Sequence, residues 1–187
     1  MTGYALLILG LLAWSGSHLW KRLAPASRAQ MGERGKGVVA LGSLAGIVLM
    51  VLGYRWAPFD PLWSSPSFLI HLNNLLMLFA LYLFAASGMK TGITRKIRHP
   101  QLTAVKTWAL AHLLVNGTVA DVILFGGLLA WAVVSVILIN RAEPVWLKNE
   151  PASTGKEAGA LAGSVIALVV IGYIHGWLGP WPFGVAQ

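Results

Sequence analysis

The chain has 187 residues, of which 57% are hydrophobic and only 11% charged, and it contains no cysteine. A soluble domain carries about 25% charged residues, so little of this surface can face water, and the mean hydropathy of +0.70 agrees. The absence of thiols excludes disulfides, thiolate catalysis, iron–sulfur clusters and cysteine-held zinc. A span needs about 20 apolar residues, which leaves room for one small membrane domain, 1–187, and no separate soluble one.

The first apolar run covers 3–20. Its charges, Lys21 and Arg22, follow it, so it reads as a first span rather than a cleavable leader. The second covers 38–54. The third covers 66–87, with Ser65 as N-cap and Pro66 at the first helical position. The fourth, 102–115, is short and ends at Asn116-Gly117, which reads as a C-cap pair and a tight turn. The fifth, 118–139, opens on a capping box of Thr118 and Asp121; the sixth, 158–178, opens on Thr154 and Glu157 in the same way. The expected fold is an all-α integral membrane protein, a bundle of six transmembrane helices.

Lysine and arginine set the direction of a multi-span chain. Here they cluster in alternate loops: Lys21, Arg22, Arg28, Arg34 and Lys36 after the first span, Lys90, Arg95, Lys96 and Arg98 after the third, and Arg141, Lys148 and Lys156 after the fifth. Arg55 lies in an outer loop and Lys106 within the fourth span. The three basic loops share one side only if there are six spans, and both termini then lie outside the cytoplasm. The formal charge of +8 is thereby a topology signal rather than a nucleic-acid patch. Trp20 and Trp146 fall at the inner boundary, and Trp56, Trp63, Trp177 and Trp181 at the outer one, as indoles do. The pairs Gly42–Gly46, Gly159–Gly163 and Gly172–Gly176 read as helix–helix packing sites.

Ionisable groups inside a span are functional candidates. Those here are His18, His71, Lys106, His112, Asp121 and His175, with His99 just outside the fourth span. Asp121 reads as a helix cap. Lys106 either snorkels or pairs with the carboxylate of a bound cofactor. Asn73 and Asn74 read as interhelical hydrogen-bonding residues. Five histidines taken as buried in an apolar bundle without cysteine favour haem b, whose iron imidazole ligates. Zinc would bring an acidic ligand or an HExxH spacing. Trp14 precedes His18 by four residues and Trp108 precedes His112 by four, so each indole shares a helix face with its histidine and could wall a porphyrin. Depth bears on the pairing. His112 lies about 16 Å along the fourth span from Gln101, towards the outer half, whereas His18 lies near the inner end. The alternates are His18 with His99, or His112 with His71 or His175.

Gly16-Ser17-His18-Leu19-Trp20, Leu23-Ala24-Pro25, Arg98-His99-Pro100-Gln101 and the run from Lys106 to Gly117 together resemble the NnrU family of bacterial membrane proteins. His175-Gly176-Trp177 is similar to the end of that domain. The resemblance implies a multi-pass protein of the bacterial inner membrane linked to nitric oxide and denitrification metabolism. The family includes 15-cis-zeta-carotene isomerases, haem proteins that isomerise a polyene, and their haem-binding histidines match His18 and His112. Three functions follow as expectations: a haem-binding NnrU-type protein, a haem-dependent carotenoid cis–trans isomerase acting on a polyene or other apolar small molecule, or a non-catalytic membrane partner in assembly of a denitrification enzyme. Arg98-His99-Pro100 is also similar to a motif of isoprenylcysteine methyltransferases, but Leu102 to Ala104 lack the Tyr and Gly that follow it there.

Overall fold

A computed structural model describes residues 1–183. Among these the regular structure is helical, and the strand pairing is one isolated bridge, Pro61 with Thr118. The helices are α1 (Thr2–Leu23), α2 (Pro25–Gln30), α3 (Arg34–Trp56), α4 (Leu69–Met89), α5 (Pro100–Val115), α6 (Val119–Ala142) and α7 (Thr154–Leu178), with a 3-10 turn at Gly92–Arg95. Five of them, α1, α3, α4, α6 and α7, are long and apolar enough to cross a membrane. The predicted fourth span is present as α5, but its 16 residues extend only about 24 Å at about 1.5 Å per residue. That falls short of a hydrocarbon core about 30 Å thick.

Of the four predicted caps, the helix ends keep one as a box and alter the others. The box at Thr118 is present: Thr118 N donates to Asp121 Oδ2 (2.8 Å) and Asp121 N donates to Thr118 Oγ1 (3.3 Å). The box at Thr154 is not. Ser153 is the N-cap, its hydroxyl accepting from Lys156 N at 3.4 Å, while Glu157 Oε1 accepts from Gly92 N at 2.6 Å. The carboxylate is drawn to an unsatisfied amide at the start of the 3-10 turn, distant in sequence. Nor does Ser65-Pro66 start α4. Leu69 N and Ile70 N donate to the carbonyls of Pro66 and Ser67 in a tight turn, and α4 begins at Leu69 with no side-chain cap. Asn116 ends α5 in an extended rather than left-handed conformation, and its Nδ2 donates to His112 O at 2.9 Å.

The chain divides into two units, residues 1–63 with 117–144 and residues 64–116 with 145–187. α5 belongs to the second and α6 to the first, so the predicted hairpin across Asn116-Gly117 is divided between them.

In the first unit α1 lies along α3, with α6 against α1. The α1–α3 contact is built on glycines seven residues apart, Gly3 and Gly10 facing Gly46 and Gly53. A Cβ on Gly10 would stand 2.7 Å from Met50 N, and one on Gly46 would stand 2.9 Å from Trp14 N. The main chains therefore approach as closely as glycine allows, which is how helices associate where lipid removes the hydrophobic drive. Gly42 faces the Ser17 hydroxyl, so Gly42–Gly46 is a packing pair, as predicted. The loop after α3 is tied to both neighbours: Tyr4 Oη donates to Asp60 Oδ2 (2.6 Å), Leu62 N to Gly117 O (2.7 Å) and Val119 N to Asp60 O (3.0 Å).

In the second unit α4 packs against α5 and α7. Ala80, Leu83 and Ala104 form its core, with Ile93, Ile97 and Trp108 packed around them. Large apolar side chains point outward from both units, Leu41 at 69% exposure and Ile166 at 64% among them. Small residues inside and large apolar ones outside are the arrangement of helices in lipid.

Candidate histidine centres

His18 stands on α1 in the first unit. Its Nδ1–H donates to Trp14 O, one turn back, at 2.9 Å. A carbonyl can only accept, so this bond puts a ring proton on Nδ1 and leaves Nε2 as the nitrogen available to a metal. The Trp14 ring lies 4.0 Å from the imidazole, tilted by 31°. Trp131 of α6 meets both edge-on, 5.2 Å from His18 and 5.5 Å from Trp14. The indole nitrogens of Trp14 and Trp131 are buried and have no hydrogen-bond partner among the described residues. Buried donors are nearly always paired, so two orphans beside one histidine mark a place where an acceptor belongs.

His112 stands on α5 in the second unit and repeats the arrangement. Its Nδ1–H donates to Trp108 O at 2.9 Å, with the Trp108 ring 4.9 Å away. His112 also lines a cavity of about 60 Å³ with Asn73, Asn74, His175, Gly172 and Phe183. His175 carries the same tautomer, donating from Nδ1 to Pro180 O at 2.7 Å. Asn73 Nδ2 donates to Asn74 Oδ1 (3.1 Å) and Asn74 Nδ2 donates to Pro182 O (3.1 Å). Asn73 Oδ1 is buried without a partner. At about 30 Å³ per water the cavity has room for about two waters and none for a porphyrin.

The structure thus brings His112 and His175 to one cavity and leaves His71 outside it. His99 is the N-cap of α5. Lys106, on the same helix, has no hydrogen bond or ion pair among the described residues. Asp121 is structural: its Oδ1 accepts from Tyr54 Oη at 2.6 Å and its Oδ2 serves the cap. One expectation fails. None of the five histidines is buried; His18, His71 and His175 are exposed and His99 and His112 half-buried. Helices apolar on every side conceal which face meets lipid, so hydropathy could not separate the two. Among the described residues no group of three or more His, Asp or Glu gathers for a metal.

Trp131 was missed. Of nine tryptophans, six read as interface anchors and two as histidine partners, so a ninth placed mid-span was the available signal. Its face could not be counted from the helix start. A π-helical turn at Val122–Gly126 inserts a residue and rotates everything beyond it by about 100°.

A family model described as NnrU protein matches residues 6–182. No curated protein and no solved structure matches the chain.

Proposed function

Because the chain belongs to the NnrU family over nearly its whole length, we propose that it is a six-span protein of the bacterial cytoplasmic membrane that binds haem b, with His18 in the first unit and His112 in the second as the candidate ligands. The observation that carries the haem reading is the repeated Trp–His turn, in which a carbonyl four residues back takes the Nδ1 proton and leaves Nε2 to ligate. Trp14 and Trp108 hold the two rings in place, and Trp131 closes one side of His18. In the first unit the unpaired indole N–H groups beside His18, and in the second the Lys106 ammonium about 9 Å along α5 from His112, are each donors of the kind a carboxylate-bearing cofactor takes. Haem b, when bound, would supply an iron centre able to pass one electron while both histidines hold it, and one-electron chemistry fits the nitric oxide link the family resemblance implies.

The visible spectrum of detergent-purified protein tests this. We expect a Soret band after haem-replete expression, with haem content at least ten-fold lower in both His18→Ala and His112→Ala and unchanged in His71→Ala. A colourless wild type overturns the reading. Loss in His175→Ala with retention in His18→Ala would replace the proposed ligand pair.

Six spans require α5 to cross despite its length. The support comes from the first unit, where Leu62 N and Trp63 N both donate to Gly117 O. Gly117 follows α5 directly in sequence, so this pairing supports an α5 that ends on the side of the loop after α3. If α4 carries the chain inward from that loop, α5 must carry it back. The basic loops then share the cytoplasmic side, with both termini opposite. The cysteine-free chain suits a labelling test. Asn116→Cys should react with a membrane-impermeant maleimide in spheroplasts and Arg95→Cys should not; equal protection of both would leave α5 on the inner side.

A further inference from the structure

The end of α1, the short α2 and the end of α6 enclose a second cavity, within the first unit. It measures about 420 Å³ and is lined by Lys21, Arg22, Pro25, Arg28, Ala29 and Ala142. Three of the six lining residues are cations and none is acidic. Arg22 is committed: its Nη1 lies 2.8 Å from Glu143 Oε1. Lys21 has no partner among the described residues. Arg28 gives one N–H to Gly32 O (2.9 Å) and lies 5.9 Å over the Trp20 ring, which leaves most of its five donors. Two positive charges therefore remain uncompensated beside an apolar wall of Pro25, Ala29 and Ala142.

We propose that this cavity binds the phosphodiester headgroup of an anionic glycerophospholipid, best one carrying two phosphates. Charge alone would suit any phosphate. The surroundings select an amphiphile. The cavity opens where a lipid-facing helix ends: Leu23 is 65% exposed beside it, and Trp20 marks the same turn. Lys21 and Arg28 would take the phosphates while the acyl chains follow the apolar flank of α1. Basic pockets at the inner ends of spans bind such headgroups elsewhere. A site built this way ties α2 and the end of α6 to the bilayer surface, and it is independent of haem.

The test uses the full chain in detergent, titrated with cardiolipin, phosphatidylglycerol, phosphatidylcholine and inorganic phosphate, with bound lipid read by native mass spectrometry and stability by thermal shift. Cardiolipin should bind most tightly, phosphatidylglycerol more weakly, and phosphatidylcholine and inorganic phosphate should give no shift. Lys21→Gln and Arg28→Gln should each weaken cardiolipin about five-fold, as the loss of one surface cation predicts. Lys148→Gln removes the same charge far from the cavity in sequence and should change nothing. Lys21 is exposed, so its substitution does not endanger folding. An equal response to phosphatidylcholine, an equal response to free phosphate, or equal weakening by Lys148→Gln each overturns the proposal.

Discussion

Replacing Asp121 by alanine is expected to lower stability by about 3 kcal/mol, read from unfolding in mixed micelles. The carboxylate is 2% exposed and serves three donors. Tyr54 Oη reaches it at 2.6 Å, Thr118 Oγ1 at 2.7 Å and Thr118 N at 2.8 Å. Its removal leaves a phenol and a helix-starting amide unpaired, and each such orphan costs about 1–3 kcal/mol. Tyr54→Phe deletes only one donor and leaves the cap intact, so it should cost about 1 kcal/mol. In the double variant the phenol is gone before its acceptor is, so the combined loss should fall short of the sum of the single losses. A loss below about 1 kcal/mol for Asp121→Ala would mean that water or another donor already serves these groups. The interaction spans two levels of structure. The cap is local to α6, whereas Tyr54 comes from the end of α3 and fixes where α6 begins relative to it.

Gly53→Leu is expected to be worse still. A Cβ there would overlap the Leu7 amide and stand 2.8 Å from Gly3 O. The obstructing atoms are main chain, so no rotamer change relieves them and α1 must move off α3. Overpacking costs about 1–3 kcal/mol where side chains can yield, and here the loss should be about 3 kcal/mol or more. Size-exclusion chromatography should show the variant as aggregate. Gly16→Ala and Gly163→Ala are the controls, since a Cβ at either meets nothing within 4 Å. Both should be neutral or stabilising by up to about 1 kcal/mol through helix propensity. An intact, monodisperse Gly53→Leu protein would show that the glycine faces do not hold α1 to α3.

The same glycines show where sequence reading stops. The GxxxG spacing found Gly42–Gly46, which does pack against α1. It also offered Gly159–Gly163, where Gly159 touches only the Met89 thioether and Gly163 touches nothing. It offered Gly172–Gly176 as well, where the facing groups are Phe183 and Trp181 from the turn beyond α7. Of the seven-residue set that brings the main chains together, Gly3, Gly10, Gly46 and Gly53, only Gly46 was marked. Spacing tells that two small residues share a face; it does not tell what lies opposite.

What the amino-acid sequence determined by itself is whatever depends on neighbours along the chain. Apolar runs long enough to bury every peptide group in lipid had to be helices. Thr118 and Asp121 lie three residues apart and close their own box. Trp14 and Trp108 each lie one turn before a histidine and supply the carbonyl that fixes its tautomer. Only the tertiary structure decided the rest. Glu157 left its predicted box for the Gly92 amide, Trp131 came to His18 through a π-helical turn, and His175 joined His112 at one cavity. The exposure of His18 was likewise invisible, because in a lipid-embedded helix hydropathy does not say which side faces a neighbouring helix. A bond three or four residues long is written in the local pattern. A contact between helices is chosen among many faces of nearly equal hydropathy, and packing geometry makes that choice.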